Sequence, residues 1–184
     1  MEYVFYALEV LITLSLLLKL SFTSKWEIIG VALAFAVWIG MLTPWLTEQS
    51  KPEMMAMLEQ RANLMNLSLA LLVEAMLMMA YSLSCFPSKN ASRGMQWGRL
   101  FLHFYPGLMF GVVQAYVVGM SLFAWTGIDF TTLQIAAAVG SLLLVALGTW
   151  ALRLLLPEKA LRWELLFILN VFIIVLSVVA GGNS

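Results

Sequence analysis

Charged residues are scarce in this chain: they make up 11% of its 184 residues, while 62% are hydrophobic. A soluble domain typically carries about 25% charged and 45–50% apolar residues. Water cannot solvate such a composition in a compact fold, so the sequence predicts an all-α integral membrane protein with the lipid bilayer as its solvent. We expect one transmembrane domain over residues 1–184. Acidic and basic residues number 10 each, which gives no indication of a nucleic-acid partner.

Cysteine and histidine are nearly absent, since Cys85 and His103 are the only ones. A single cysteine excludes an intrachain disulfide and a cysteine-based zinc site. Phosphate-binding glycine loops, Ser-His-Asp sets and His-Glu-x-x-His motifs are also missing. A membrane enzyme would have to rely on Glu74, Glu9, His103 and the tyrosines, which no motif spacing connects. The sequence therefore predicts no cofactor, no metal site and no enzymatic activity.

Long apolar runs are what the chain does have. The N-terminus shows neither the basic stretch nor the cleavage site of a signal peptide, so the first run is expected to be a retained helix. A spanning helix needs about 20 mostly apolar residues. Six stretches qualify: Tyr3 to Ser21, Glu27 to Thr47, Asn63 to Phe86, Arg99 to Trp125, Thr131 to Leu155 and Trp163 to Ala180. The fourth contains Pro106-Gly107, where we expect a kink, or first turns that lie near the interface.

Basic residues alternate between the two sides that six spans create. One side receives Lys19, Lys25, Lys89, Arg93, Arg99, Arg153, Lys159 and Arg162, and the other only Lys51 and Arg61. By the positive-inside rule the richer side is cytoplasmic. The sequence thus predicts a multi-pass protein of the plasma (inner) membrane, with six helices in three out-in-out hairpins and both termini extracytoplasmic.

Glu74 is the sharpest functional signal. It lies about 11 residues inside the third predicted span, or roughly 17 Å, near the bilayer centre. A carboxylate there costs at least about 2.5 kcal/mol, so it must be protonated, paired or facing water. Helical spacing sets Asn63, Asn66 and Tyr81 on its face. The stripe allows two interpretations. One is a half-channel that ends at Glu74 and conducts protons or a cation. The other is a protonated glutamic acid that is hydrogen-bonded to a neighbouring helix or a partner subunit.

Other polar residues also fall within the spans. Glu9 lies about 9 Å from the outer end of the first helix, where it can either join the proton path or extend to the surface. Gln114, Gln134 and Asn170 are expected to join helices by hydrogen bonds of about 0.6 kcal/mol each. If Glu74 has a partner inside the chain, Gln114 or Asn170 is the candidate.

Small residues recur every fourth position in the fourth and fifth spans. Such spacing lets two helix backbones approach closely, in the same chain or in another one. The predicted packing residues are Gly107, Gly111, Ala115, Gly119, Ala136, Gly140 and Gly148.

Two classes of function fit these features. The short joins and small-residue stripes favour a non-catalytic membrane subunit of a larger transport or energy-coupling complex, such as one driven by the proton-motive force. The Glu74 stripe favours a small self-contained transporter or channel, coupled to protons or a cation and working as a homo-oligomer. The expected partners are other membrane subunits or further copies of the chain.

Overall fold

The computed structural model describes residues 2–48, 52, 60–84, 93–124, 127 and 129–182, with only the backbone described for residues 2, 3 and 93–96. Some residues named in the predictions above lie outside the described residues, namely Lys51, Cys85, Phe86, Lys89 and Trp125. The described part forms seven helices: α1 (Glu2–Leu20), α2 (Lys25–Glu48), α3 (Arg61–Ser84), α4 (Arg93–Phe104), α5 (Met109–Ala124), α6 (Phe130–Leu155) and α7 (Lys159–Gly182). Only residues 105–108 separate α4 from α5, so the helices make six successive segments.

Local chemistry sets several of these bounds. Ser24 and Glu27 form a capping box at the start of α2: the Ser24 N–H donates to Glu27 Oε2 at 2.8 Å, and the Glu27 N–H donates to Ser24 Oγ at 3.3 Å. Asp129 caps α6, because its carboxylate accepts from the Thr132 N–H at 3.4 Å. Between α4 and α5, Pro106 has no N–H to donate and Gly107 adopts a φ of +88°. The predicted kink is therefore a complete break.

Among the residues that the structure describes, five segments are long and apolar enough to cross a membrane: Lys25–Glu48, Arg61–Ser84, Trp97–Ala124, Phe130–Leu155 and Lys159–Gly182. The all-helical, multi-pass membrane class predicted from composition is thus confirmed. Helix α1, which has 19 residues and carries Glu9 and Lys19, is not among the five. The count of six spans and the side on which the termini lie stay predictions.

Helix α1 lies at the centre of the bundle. It packs against α5, α6 and α7, and buries Leu8, Ile12 and Leu16 among them. The two pairs with the most extensive packing are α2 with α6 and α3 with α7. In both pairs the two segments are three places apart along the chain, so the most extensive packing does not hold together hairpins of consecutive helices.

Paired helices run antiparallel, which gives the bundle two distinct ends. Near one end Ser68 of α3 contacts Gly181 of α7, and Phe5 and Leu67 line the same cavity. We call this the termini end, because α1 begins and α7 ends there. At the opposite end α1, α3 and α6 terminate, and we call it the basic end.

Cations at the basic end bind the last carbonyls of helices. Arg153 donates to Ser21 O at 3.0 Å and to Thr23 O at 2.5 Å, and Arg162 donates to Ser21 O at 2.9 Å. These are the groups that a helix C-terminus leaves without partners, and its partial negative charge favours cations. Arg99 likewise donates to Ser84 O at the end of α3. Arg153, Arg162 and Arg99, which the charge count placed in cytoplasmic joins, therefore bond to the protein itself.

The small-residue stripes pack only in part within this chain. A Cβ at Gly111 would lie 3.2 Å from Trp38 Nε1, and one at Gly148 would lie 2.9 Å from Leu17 Cδ1, so both backbones are closely approached. Gly119 is buried and Ala115 is half-buried. Ala136 and Gly140 are instead exposed, and Gly140 faces a cleft of about 400 Å³ between α5 and α6. Within this chain α5 and α6 diverge at these two positions, so close packing of Ala136 and Gly140 against another chain stays a prediction.

Candidate functional site

Glu74 is buried in the middle of α3, with 8% of its surface exposed. Its Oε2 atom accepts two hydrogen bonds, from the Tyr105 hydroxyl at 2.9 Å and from the Met109 N–H at 2.8 Å. Tyr105 belongs to the break between α4 and α5, and Met109 is the first residue of α5, directly after the break. The carboxyl group is therefore held by the chain where the fourth segment is unwound.

The break makes this position suitable for an anion. Helix α5 begins at Met109, and the first N–H groups of a helix have no partner within it. Their aligned dipoles place a partial positive charge at that end, which favours a negative group. Glu74 thus caps α5 from another helix.

Lys19 supplies the opposite charge on the other side of the break. Only 1% of its surface is exposed, and its Nζ donates to the main-chain carbonyl of Tyr105. The ammonium also lies 5.2 Å from the ring centroid of Tyr81 and 5.3 Å from that of Tyr105, within the range of cation–π attraction. Tyr105 therefore joins the two charges, because its carbonyl accepts from Lys19 and its hydroxyl donates to Glu74.

A small cavity with three polar residues in its mainly apolar lining adjoins the carboxyl group. It measures about 10 Å³, and its lining includes Ser15, Glu74 and Asn170. Asn170 donates from Nδ2 to Ser15 Oγ at 3.0 Å and to Leu166 O at 2.7 Å. This volume holds about one water molecule. One water there would have hydroxyl, amide and carboxyl groups as neighbours.

The partners expected for Glu74 were wrong. Asn170 bonds to Ser15 as described, and Gln114 donates to Ser141 of α6. Gln134 donates to Gly40 O of α2 at 2.5 Å, so all three amides join helices as predicted. No sequence signal singled out Tyr105 or Lys19. The Pro106-Gly107 break was the available signal, because unwound backbone inside a membrane protein needs polar partners.

The polar stripe predicted along α3 does not lead through the interior. Asn63 and Asn66 are exposed, whereas Glu74 is buried. Asn63 donates to Gln60 Oε1 at 3.0 Å, a contact local to the first turn of α3. A half-channel that follows Asn63 and Asn66 to Glu74 is therefore not formed by this arrangement.

Glu9 is half-buried on α1, nearer the termini end than Lys19. Its Oε1 atom is buried and has no hydrogen-bond partner among the residues that the structure describes. The side chain lies between two cavities, one of about 310 Å³ and one of about 70 Å³. It is thus not simply extended to the surface.

His103 approaches a second acidic residue at the basic end. Its Nε2 lies 3.4 Å from Glu27 Oε2, and roughly a third of each side chain is exposed. This contact joins α4 to α2. Elsewhere in the described ranges, no three His, Cys, Asp or Glu side chains lie together in a group that could hold a metal ion.

Comparison with known proteins returns no relative. The chain matches no known protein family, no curated protein and no solved structure.

Proposed function

We propose that the chain is a membrane transport protein in which protonation of Glu74 is coupled to the conformation of the broken fourth segment. The observation that carries this proposal is the arrangement at the break, where the amide end of α5 meets a buried carboxyl and the carbonyl that follows α4 meets the buried Lys19 ammonium. Broken helices whose ends face charged groups near the bilayer centre are typical of transporter binding sites.

The proton has a defined structural effect in this scheme. When ionised, Glu74 is attracted by Lys19 and accepts from the Met109 N–H and the Tyr105 hydroxyl. When protonated, it loses its charge, and each of these interactions weakens, because hydrogen bonds to charged groups are the stronger ones. The N-terminus of α5 is then less firmly held against α3. The ionised and protonated forms of Glu74 therefore favour different arrangements of the break. A conformational change coupled to a proton requires such a difference in interaction free energy between its two states.

A second candidate function is that of a non-catalytic subunit in a larger transport or energy-coupling complex. It is favoured by α6, which exposes large apolar side chains along its length together with Ala136 and Gly140. Exposed small residues at this spacing suit close contact with a helix of another protein. In such a complex Glu74 would carry out the same coupling for the assembly.

The decisive experiment compares two matched variants in proteoliposomes loaded with a pH-sensitive dye. Glu74→Gln removes the acid while keeping its shape, and Glu164→Gln makes the same change at an exposed position of α7. We expect Glu74→Gln to abolish proton movement and Glu164→Gln to keep it, with both proteins monodisperse in detergent. Full activity of Glu74→Gln would overturn the role of this residue.

A pull-down from native membranes distinguishes the two candidates. Co-purification with unlike subunits in fixed ratio favours the subunit function, and the Glu74→Gln test is then made on the whole complex. A chain that purifies alone and moves protons supports the self-contained transporter.

A further inference from the structure

Three cavities lie in series between the termini end and Glu74. The first, of about 310 Å³, is formed by the first turns of α1 and the last turns of α5, from Tyr6 to Ala124. The second, of about 70 Å³, continues inward between α1, α3 and α5 and shares Glu9 and Tyr116 with the first. The third is the 10 Å³ cavity at Glu74, which shares Ile12 and Leu71 with the second. Adjacent cavities thus have common walls from the bundle end to the buried carboxyl.

Glu9 lies at the wall between the first two cavities, and the two differ in chemistry. The outer cavity is wide enough for several water molecules and has Tyr6 and Ser121 in its lining. The inner cavity is lined by apolar side chains, with Glu9 and Tyr116 as its polar residues. A carboxyl oxygen without a partner in such a place is costly to keep ionised unless water reaches it. An ionised Glu9 therefore requires water in the outer cavity, which Glu9 itself lines.

We propose that protons reach Glu74 along this series of cavities between α1 and α5, with Glu9 as the entrance carboxylate. The inference rests on the proposed function of Glu74. Hydronium in the outer cavity protonates Glu9, and water that enters the inner cavity carries the proton on to the Glu74 carboxylate. Glu9 returns to its ionised form, so the relay consumes nothing. Ile12 and Leu71 form the apolar constriction that water must cross, and apolar constrictions can open and close by wetting.

This route differs from the one expected along α3. Asn63 and Asn66 are exposed on the bundle surface, whereas the walls of the inner cavity come mainly from α1 and α5. Removing the two asparagine side chains should therefore leave proton entry unchanged.

Cysteine labelling tests the route without reference to activity. In a Cys85→Ser background, Leu67→Cys and Val113→Cys place thiols in the inner cavity, and Leu69→Cys places one at a similar depth on the exposed surface of α3. A charged methanethiosulfonate reagent reacts with thiolate, which forms only where water is present. We expect it to modify the two cavity positions about tenfold faster than Leu69→Cys, and only from the side of the termini. Equal or slower modification of the cavity positions would overturn the route.

Proton uptake by proteoliposomes tests the role of Glu9. Glu9→Gln should slow uptake by about 10²-fold, the lower end of what a proton-transferring side chain contributes, while Glu9→Asp, which keeps the acid, should restore most of the rate. Unchanged uptake in Glu9→Gln would refute the relay, even if the cavity thiols are labelled. Full activity of Glu74→Gln would instead contradict the proposed function, and the labelling result would still decide whether water reaches the inner cavity.

Discussion

Replacing Gly107 by alanine tests the break on which the site depends. Gly107 has a φ of +88°, a region that residues with a side chain rarely adopt. The added Cβ would lie 2.9 Å from Met78 Cε, and 3.5 Å from both Glu74 Oε1 and Leu16 Cδ1. The substitution therefore strains the backbone and displaces the Met78 methyl group, whereas its distances to Glu74 and Leu16 are ordinary van der Waals contacts.

The expected cost follows from these two effects. A residue with a side chain held at such a φ costs about 1–3 kcal/mol. Overpacking adds about 1–3 kcal/mol, and the lower figure applies here because the Met78 methyl group is the end of a flexible chain. We expect Gly107→Ala to lower the free energy of unfolding by about 2–4 kcal/mol.

Gly140→Ala is the matched control. Its added Cβ meets nothing within 4 Å, and Gly140 lies inside α6. Alanine is the better helix former by about 1 kcal/mol, so this variant should be unchanged or slightly more stable. Unfolding in detergent can be followed by tryptophan fluorescence, since Trp38 donates to Gly111 O at 3.3 Å, close to the break. If Gly107→Ala were as stable as the wild type, the backbone would not adopt the described turn.

Three further predictions concern the buried charges and the amides. In a double-mutant cycle of Lys19→Met and Glu74→Gln, we expect a coupling energy of about 0.5–3 kcal/mol, so that the double variant loses less stability than the two single variants together. Strict additivity would show that Tyr105 does not connect the two charged side chains. Arg153→Ala should lower the free energy of unfolding by about 1.5–3 kcal/mol because the carbonyls at the end of α1 lose a charged donor, whereas the same change at exposed Lys25 should have little effect. Gln134→Leu should cost only about 0.6 kcal/mol, and a loss several times larger would mean that Gly40 O finds no other donor. Each value is measured by the same denaturation assay.

Composition and local pattern were sufficient for the class and for most helix bounds. Helix α6 was expected from Thr131 and begins at Phe130, and it ends at Leu155 as predicted. The break at Pro106-Gly107 was also anticipated, because proline and glycine act on the backbone locally. These features depend on residues close together in the chain, which is why the sequence reveals them.

The partners of Glu74 depend on how distant helices rotate and pack, which periodicity does not determine. The spacing along α3 grouped Glu74 with Asn66, yet only Glu74 faces the break, because Tyr105 and Met109 are brought to it from the fourth segment. Lys19 was counted among the basic residues of the cytoplasmic side because it lies at the end of the first apolar run. Lys19 is buried because its ammonium group donates to the Tyr105 carbonyl, which is distant in the sequence.

The central position of α1 has a consequence for biogenesis. Its extensive neighbours, α5, α6 and α7, are all translated after it, and Arg153 and Arg162, which bind the carbonyls around its C-terminus, come from the last third of the chain. Helix α1 is thus synthesised before the helices that satisfy the carbonyls around its C-terminus. A nascent chain halted after α5 would hold Lys19 but lack both arginines, and we expect the membrane insertion machinery or a chaperone to shelter α1 until α6 and α7 have followed.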